Sequence, residues 1–307
     1  MKRICRIAAV GAGVWVSSGL AMATPVTTLR SCNTSDVQVT SAQQYSSVSA
    51  GATLGSNLLL GPVSSAACAG AFEGNDTPYP KTNLGYENDG LLNGAIQGTP
   101  PYADLFPAGA FVTDADKTDL DGDGFADDPG WIMLGKTDFG SSGPGPFAPA
   151  AVGGDSTIVL ASFFTVSQSS TGQGTWAFTP DPLVALRALD LLGKNSFDQF
   201  ALVFKSGNAF AIYDFTAAQF GVFDPSADDP QFNFAGTWDT TRTLLNCNVN
   251  GQGVEKCNAA GISHVTLWAR DPGGSSDVPE PQTLWLAGAA LISCALVRAP
   301  GRMSPCA

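Results

Sequence analysis

A chain of 307 residues that sets 27 acidic side chains against 15 basic ones carries a formal net charge of −12. That excess of carboxylate speaks against nucleic acid as a partner, because there is no basic stripe to displace counterions from phosphate. The 35 Gly and 20 Pro describe a loop-rich chain, while 18 Phe and 6 Trp supply enough apolar bulk for a real core and argue against disorder over most of the length.

The first six residues, Met1-Lys2-Arg3-Ile4-Cys5-Arg6, form a short basic region. Ile7 to Leu20 is mostly apolar and small, and Ala21-Met22-Ala23 follows as an A-x-A cleavage motif. This order predicts a secretory signal peptide over 1–23 rather than a first membrane helix. A body over 24–276 comes next. From Thr24 to Asp277 the chain holds 10 basic and 26 acidic residues, a net of −16, and only three of those acids are Glu. Asp favours turns and short metal-binding loops over helix interiors. Four cysteines lie in the body: Cys32, Cys68, Cys247 and Cys257. Four cysteines allow three pairings. Sequence proximity favours Cys32–Cys68 and Cys247–Cys257, the second closing a short loop of turn residues from Asn248 to Gly253. Two such bonds fit an exported protein.

Strand patterns dominate the body. Val37-Gln38-Val39-Thr40 alternates with period two, Trp131 to Lys136 reads as a buried strand, and Ser156 to Val166 is β-branched and aromatic. Gly174 to Phe178 alternates again. Phe200 to Lys205, then Ser206-Gly207-Asn208, then Ala209 to Tyr213 reads as a hairpin. Phe232 to Trp238 and Ile262 to Trp268 complete the set. One segment, Pro182 to Leu192, reads as a helix with Asp181 as N-cap and Gly193 after its end, with a short strand-rich edge as the alternative. Many short strands separated by Gly, Pro, Asn and Asp predict an all-β fold, an antiparallel sandwich or jelly roll.

Three groups of residues in the body offer chemistry. Asp119-Leu120-Asp121-Gly122-Asp123-Gly124-Phe125-Ala126-Asp127 sets carboxylates at positions 1, 3 and 5, with a glycine at 6 for the sharp turn. Asp119, Asp121, Asp123, Asp127 and the Phe125 carbonyl form a candidate Ca²⁺ set. Position 12 is Gly130 and no helix pattern flanks the loop, so the match is to a bare calcium loop of the thrombospondin type rather than an EF-hand. The alternative is an acidic turn before Trp131. His264, the only His, lies mid-strand; without a G-x-S-x-G elbow it reads as a structural residue rather than a catalytic base. Trp131, Trp176, Trp238 and Trp268, with Tyr79, Tyr86, Tyr102 and Tyr213, form either a stacking platform for sugar rings or core and edge residues.

The last thirty residues hold Val278-Pro279-Glu280-Pro281, an apolar run from Thr283 to Val297, and then Arg298 and Arg302. With its flanks, about 283–298, the run is near the length that crosses ~30 Å of hydrocarbon. Trp285 at one end and the arginines at the other set the basic end in the cytoplasm. The two prolines leave an extended, accessible segment ahead of the helix.

This tripartite tail, 277–307, resembles the PEP-CTERM sorting signal of Gram-negative bacteria, although its basic end is shorter than that family's. Body patches similar to the same family include Ala67-Cys68-Ala69-Gly70 leading to Gly74-Asn75-Asp76, Trp131 to Lys136, Gly174-Thr175-Trp176, Leu202 to Gly207, and Ile262 to Trp268. The resemblance implies an exosortase and the export machinery as partners, and transient anchoring in the inner membrane through the C-terminal helix. It further implies a place at the cell surface or in an exopolysaccharide or biofilm matrix and leaves activity open; with no nucleophile motif in the body, a non-enzymatic protein is expected. A carbohydrate-binding module and a secreted polysaccharide-acting hydrolase are the alternatives. Retention on immobilised exopolysaccharide distinguishes the first, and a glycoside-cleaving activity lost with one carboxylate distinguishes the second.

Overall fold

The computed structural model describes residues 29–76, 91–92, 130–149, 163–183, 197–220 and 232–270. The segments expected as a signal peptide (1–23), a calcium loop (119–127), a sorting tail (277–307) and, for the most part, a helix (182–192) lie outside the described residues. At the start of that segment Asp181 Oδ1 accepts the Leu183 amide at 2.8 Å, the bond that an N-cap makes. Among the described residues no helix is long and apolar enough to cross a membrane.

The fold is all-β and antiparallel. Thirteen strands are described: β1 Val37–Gln44, β2 Val63–Ser64, β3 Ala67–Glu73, β4 Trp131–Gly140, β5 Gly143–Pro149, β6 Phe164–Ser170, β7 Gln173–Phe178, β8 Gln199–Ser206, β9 Ala209–Thr216, β10 Phe232–Asp239, β11 Leu245–Val249, β12 Glu255–Ala259 and β13 Ile262–Arg270. They form a five-stranded sheet in the order β2-β1-β10-β7-β6, a six-stranded sheet in the order β3-β9-β8-β13-β4-β5, and a separate β11–β12 hairpin. The expected hairpin is β8–β9, joined through Gly207-Asn208 with Ser206 opposite Ala209.

The two sheets face each other across the main core. Val37, Val39, Trp176 and Trp238 of the five-stranded sheet meet Leu202, Phe204, Tyr213, Phe215, Val265 and Leu267 of the other. Phe204 and Trp238 rings lie 5.3 Å apart, and Trp176 lies 6.0 Å from Phe200. Such contacts add to the area term, which is about 1.5–3 kcal/mol for each large side chain buried.

Two Gly-Thr-Trp triplets lock the centre of the five-stranded sheet. Gly174-Thr175-Trp176 on β7 runs antiparallel to Gly236-Thr237-Trp238 on β10, so each Trp stands opposite the partner's Gly and the two threonines pair. Each indole covers a glycine on the neighbouring strand, and Trp238 Nε1 donates to the carbonyls of Ser167 (3.2 Å) and Thr175 (3.3 Å).

A second core lies on the outer face of the six-stranded sheet, where Ala69, Phe72, Trp131, Val203, Phe210, Ile212 and Trp268 pack with Leu91 and Leu92. Both faces of β8 and β9 are therefore covered. That explains their near-continuous apolar character, which strands exposed on one face lack.

Both disulfides are present in the proximity pairing. Cys32–Cys68 spans 36 residues and packs at the margin of the main core. Cys247–Cys257 joins directly opposed residues of the β11–β12 hairpin. Here the expected loop is corrected: Asn248 and Val249 continue β11, and the turn begins at Asn250, whose side-chain oxygen accepts the amides of Gln252 and Val254. The structure adds β5, whose Gly-Pro-Gly-Pro start looks like a loop in the sequence. It is an edge strand, where missing N–H donors cost little.

Candidate functional site

The strand register puts two polar clusters at opposite ends of the outer apolar face. His264, Thr266, Trp268 and Arg270 of β13 point to the same side as Lys205, Val203, Ala201 and Gln199 of β8. Trp268 and Val203 occupy the middle. The polar residues take the two ends.

At the first end, His264 Nε2 lies 2.6 Å from Asp76 Oδ2, with the two side chains 17% and 6% exposed. Lys205, opposite His264 in the β8–β13 pairing, donates from Nζ to the carbonyls of Ser206 (2.9 Å) and Gly207. Burial pushes the Lys205 ammonium below its ordinary value, and the Asp76 carboxylate partly offsets that. The arrangement ties the end of β3 to β13 and caps the β8–β9 turn. Ser263 is committed to the Lys205 carbonyl at 3.1 Å. Among the described residues no serine, threonine or cysteine side chain bonds to the His264 ring. His264 is therefore bonded to a carboxylate at this end of the sheet.

At the second end, Arg270 forms a two-point ion pair with Asp198: Nε donates to Oδ1 at 2.9 Å and Nη2 to Oδ2. Gln199, its amide turned to suit both neighbours, donates to Asp214 Oδ1 at 3.3 Å and accepts from Arg270 Nη2 at 3.2 Å. Asp214 has no solvent exposure, and its Oδ2 has no hydrogen-bond partner. Desolvation raises its carboxyl to about 7, with Asp198 adding to the rise and Arg270 opposing it. Nothing in the alternation of β9 marks Asp214 as buried. Its only sequence signal is a carboxylate in an otherwise apolar strand.

A third buried carboxylate joins three segments. Asp36 Oδ2 accepts from Tyr213 Oη at 3.1 Å, Thr243 Oγ1 at 2.6 Å and the Asn33 amide at 3.0 Å. Burial, followed by the Asp36 charge, holds the Tyr213 hydroxyl well above its ordinary range.

Of the two readings of the aromatic residues, the structure decides for the core at five of the eight. Trp131, Trp176, Trp238, Trp268 and Tyr213 are at most 2% exposed and so present no ring to a ligand. They are buried because both faces of the six-stranded sheet and the inner face of its partner are covered. Tyr79, Tyr86 and Tyr102 lie outside the described residues, as do Asp119, Asp121, Asp123, Phe125 and Asp127.

Among the described residues one group has metal-ligating atoms close together: Cys247, Cys257 and Glu255, within 4.8 Å of one another. The two sulfurs are bonded to each other and offer no thiolate, and Arg30 Nη2 lies 3.1 Å from both. This set does not suit a cation while the disulfide is intact.

Open clefts among the described residues include the following two. One, of about 510 Å³, lies between the β8–β9 turn and the β11–β12 hairpin, with Arg30, Asn208, Asn246 and Glu255 on its walls. The other, of about 300 Å³, lies on the outer face of the five-stranded sheet among Thr40, Thr165, Ser167, Thr175 and Thr237. The chain matches no protein-family model, no curated protein and no solved structure.

Proposed function

We propose that this is an exported, non-enzymatic surface or matrix protein, made with a signal peptide over 1–23 and sorted through the 277–307 tail. One observation carries the reading: Val278-Pro279-Glu280-Pro281 stands directly before a membrane-length apolar run closed by Arg298 and Arg302. The two disulfides support it, since such bonds persist in oxidising compartments. The absorption of the described tryptophans into the two cores favours a scaffold over a sugar-stacking module. In this reading an exosortase acts at Pro279-Glu280-Pro281. The helix over about 283–298 holds the protein in the inner membrane until then, and exopolysaccharide is the surrounding partner. Intact mass and fractionation in cells with and without the exosortase test it. A C-terminus near Pro279-Glu280-Pro281 only in the enzyme-containing strain is expected; a full-length inner-membrane protein in both strains overturns it.

The same reading gives Asp119, Asp121, Asp123, Asp127 and the Phe125 carbonyl a structural Ca²⁺, which stiffens an exposed loop. Calcium is expected to raise the melting temperature, and Asp121→Ala with Asp123→Ala to abolish the rise. An unmutated protein indifferent to calcium removes the site.

A further inference from the structure

The two disulfides sit in different surroundings. Cys32–Cys68 packs at the edge of the main core, and among the described residues no cationic side chain bonds to its sulfurs. Cys247–Cys257 belongs to a hairpin outside both main sheets, and Cys247 lines the 510 Å³ cleft. An isolated two-stranded hairpin is marginally stable, so this bond reinforces the five-pair β11–β12 ladder. Arg30 Nη2 is 3.1 Å from Cys247 Sγ and 3.1 Å from Cys257 Sγ. The backbone that presents Arg30 is fixed: Leu29 N donates to the Ala71 carbonyl at 2.7 Å, Cys32 N to the Gly70 carbonyl at 2.8 Å, and Cys32 is itself bonded to Cys68. One disulfide therefore anchors the guanidinium that faces the other.

A guanidinium at this distance favours negative charge on sulfur, and an accessible disulfide beside a cation is the kind that exchanges with thiols. We propose that Cys247–Cys257 is a reducible, thiol-exchanging disulfide assisted by Arg30, and that its opening releases the β11–β12 hairpin from the cleft. A small thiolate attacks one sulfur. A mixed disulfide forms, the protein S–S bond breaks, and its electron pair leaves on the other sulfur, next to Arg30. A second thiol attacks the mixed disulfide, which yields the oxidised small-molecule disulfide and two protein cysteines that take up the two protons. Arg30 does not react; it stabilises the leaving sulfur.

Timed exposure of the folded protein to dithiothreitol, followed by alkylation and peptide mass mapping, tests this. Cys247 and Cys257 are expected to be labelled at least about tenfold faster than Cys32 and Cys68. Arg30→Gln should slow that labelling by about tenfold, and Arg30→Lys should restore most of it. Equal rates at the two disulfides of the unmutated protein overturn the proposal, and that comparison needs no variant. Equal rates for Arg30→Gln and the unmutated protein remove Arg30 from it.

Discussion

Gly174→Ala and Gly236→Ala are each expected to cost about 3 kcal/mol or more of folding stability, enough to leave much of the protein unfolded or insoluble. A β-carbon at Gly174 would run into the Ser167 carbonyl and come within 2.7 Å of Trp238 Cζ2 and Nε1. At Gly236 it would meet the Gln38 carbonyl and lie 2.6 Å from Trp176 Cε2 and Nε1. Neither obstacle can give way. β7 and β10 are interior strands, hydrogen-bonded on both sides, and each indole is 2% exposed within the main core. Lifting Trp238 away also breaks its Nε1 bonds to Ser167 and Thr175. Gly207→Ala is the control: nothing lies within 4 Å of a β-carbon there, and a few tenths of a kcal/mol is expected. Urea midpoints of the three variants decide the matter. A loss below about 1 kcal/mol at both Gly174 and Gly236 would show that the triplets do not interlock.

Asp214 is expected to make the protein less stable as pH rises from about 4 to above about 7. Its carboxyl is raised from an ordinary 3.8 to about 7 in the folded chain, chiefly by desolvation. The folded state therefore binds a proton in that window that the unfolded state has released. The contribution is fully present below pH 3.8 and is lost as pH climbs through about 7. Some three pH units correspond to about 4 kcal/mol as an upper bound. Asp214→Asn removes the titrating group at nearly constant shape, and Arg270 keeps its pairing with Asp198. The variant should lack this slope and exceed the parent in stability at pH 8. Denaturation midpoints of both proteins between pH 4 and pH 8 measure the difference, which cancels the other titrating groups. Parallel curves would mean that Asp214 is already neutralised by its neighbours.

The hairpin around Gly207-Asn208 was legible because alternation, β-branched residues and a turn pair agree locally. The same holds for the strands at Val37, Gly174, Phe232 and Ile262. The strand expected from Ser156 is described only from Phe164, and β5 and the β11–β12 ladder were missed. Gly143-Pro144-Gly145-Pro146 and Asn246-Cys247-Asn248 carry turn chemistry that position at an edge or in a disulfide-tied hairpin overrides. The aromatic residues were ambiguous for a different reason. Period two assigns a side chain to one face of a strand, but it does not reveal whether that face is covered. The twin Gly-Thr-Trp triplets are visible in the sequence as two short words, yet only the β7–β10 register shows that they interlock.

The sequence by itself determined the all-β class and the approximate place of most strands, because each depends on neighbours close along the chain, and it favoured the cysteine pairing without deciding it. Only the tertiary structure decided that Trp131 and Trp268 lie in an outer core while Trp176 and Trp238 lie in the inner one. It alone decided that Asp214 and Asp36 are buried, that His264 meets Asp76, and that Arg30 faces a disulfide more than 200 residues away. Burial and charge proximity depend on which distant strands are brought side by side, and β1–β10, β3–β9 and β4–β13 join segments whose local patterns do not name their partners.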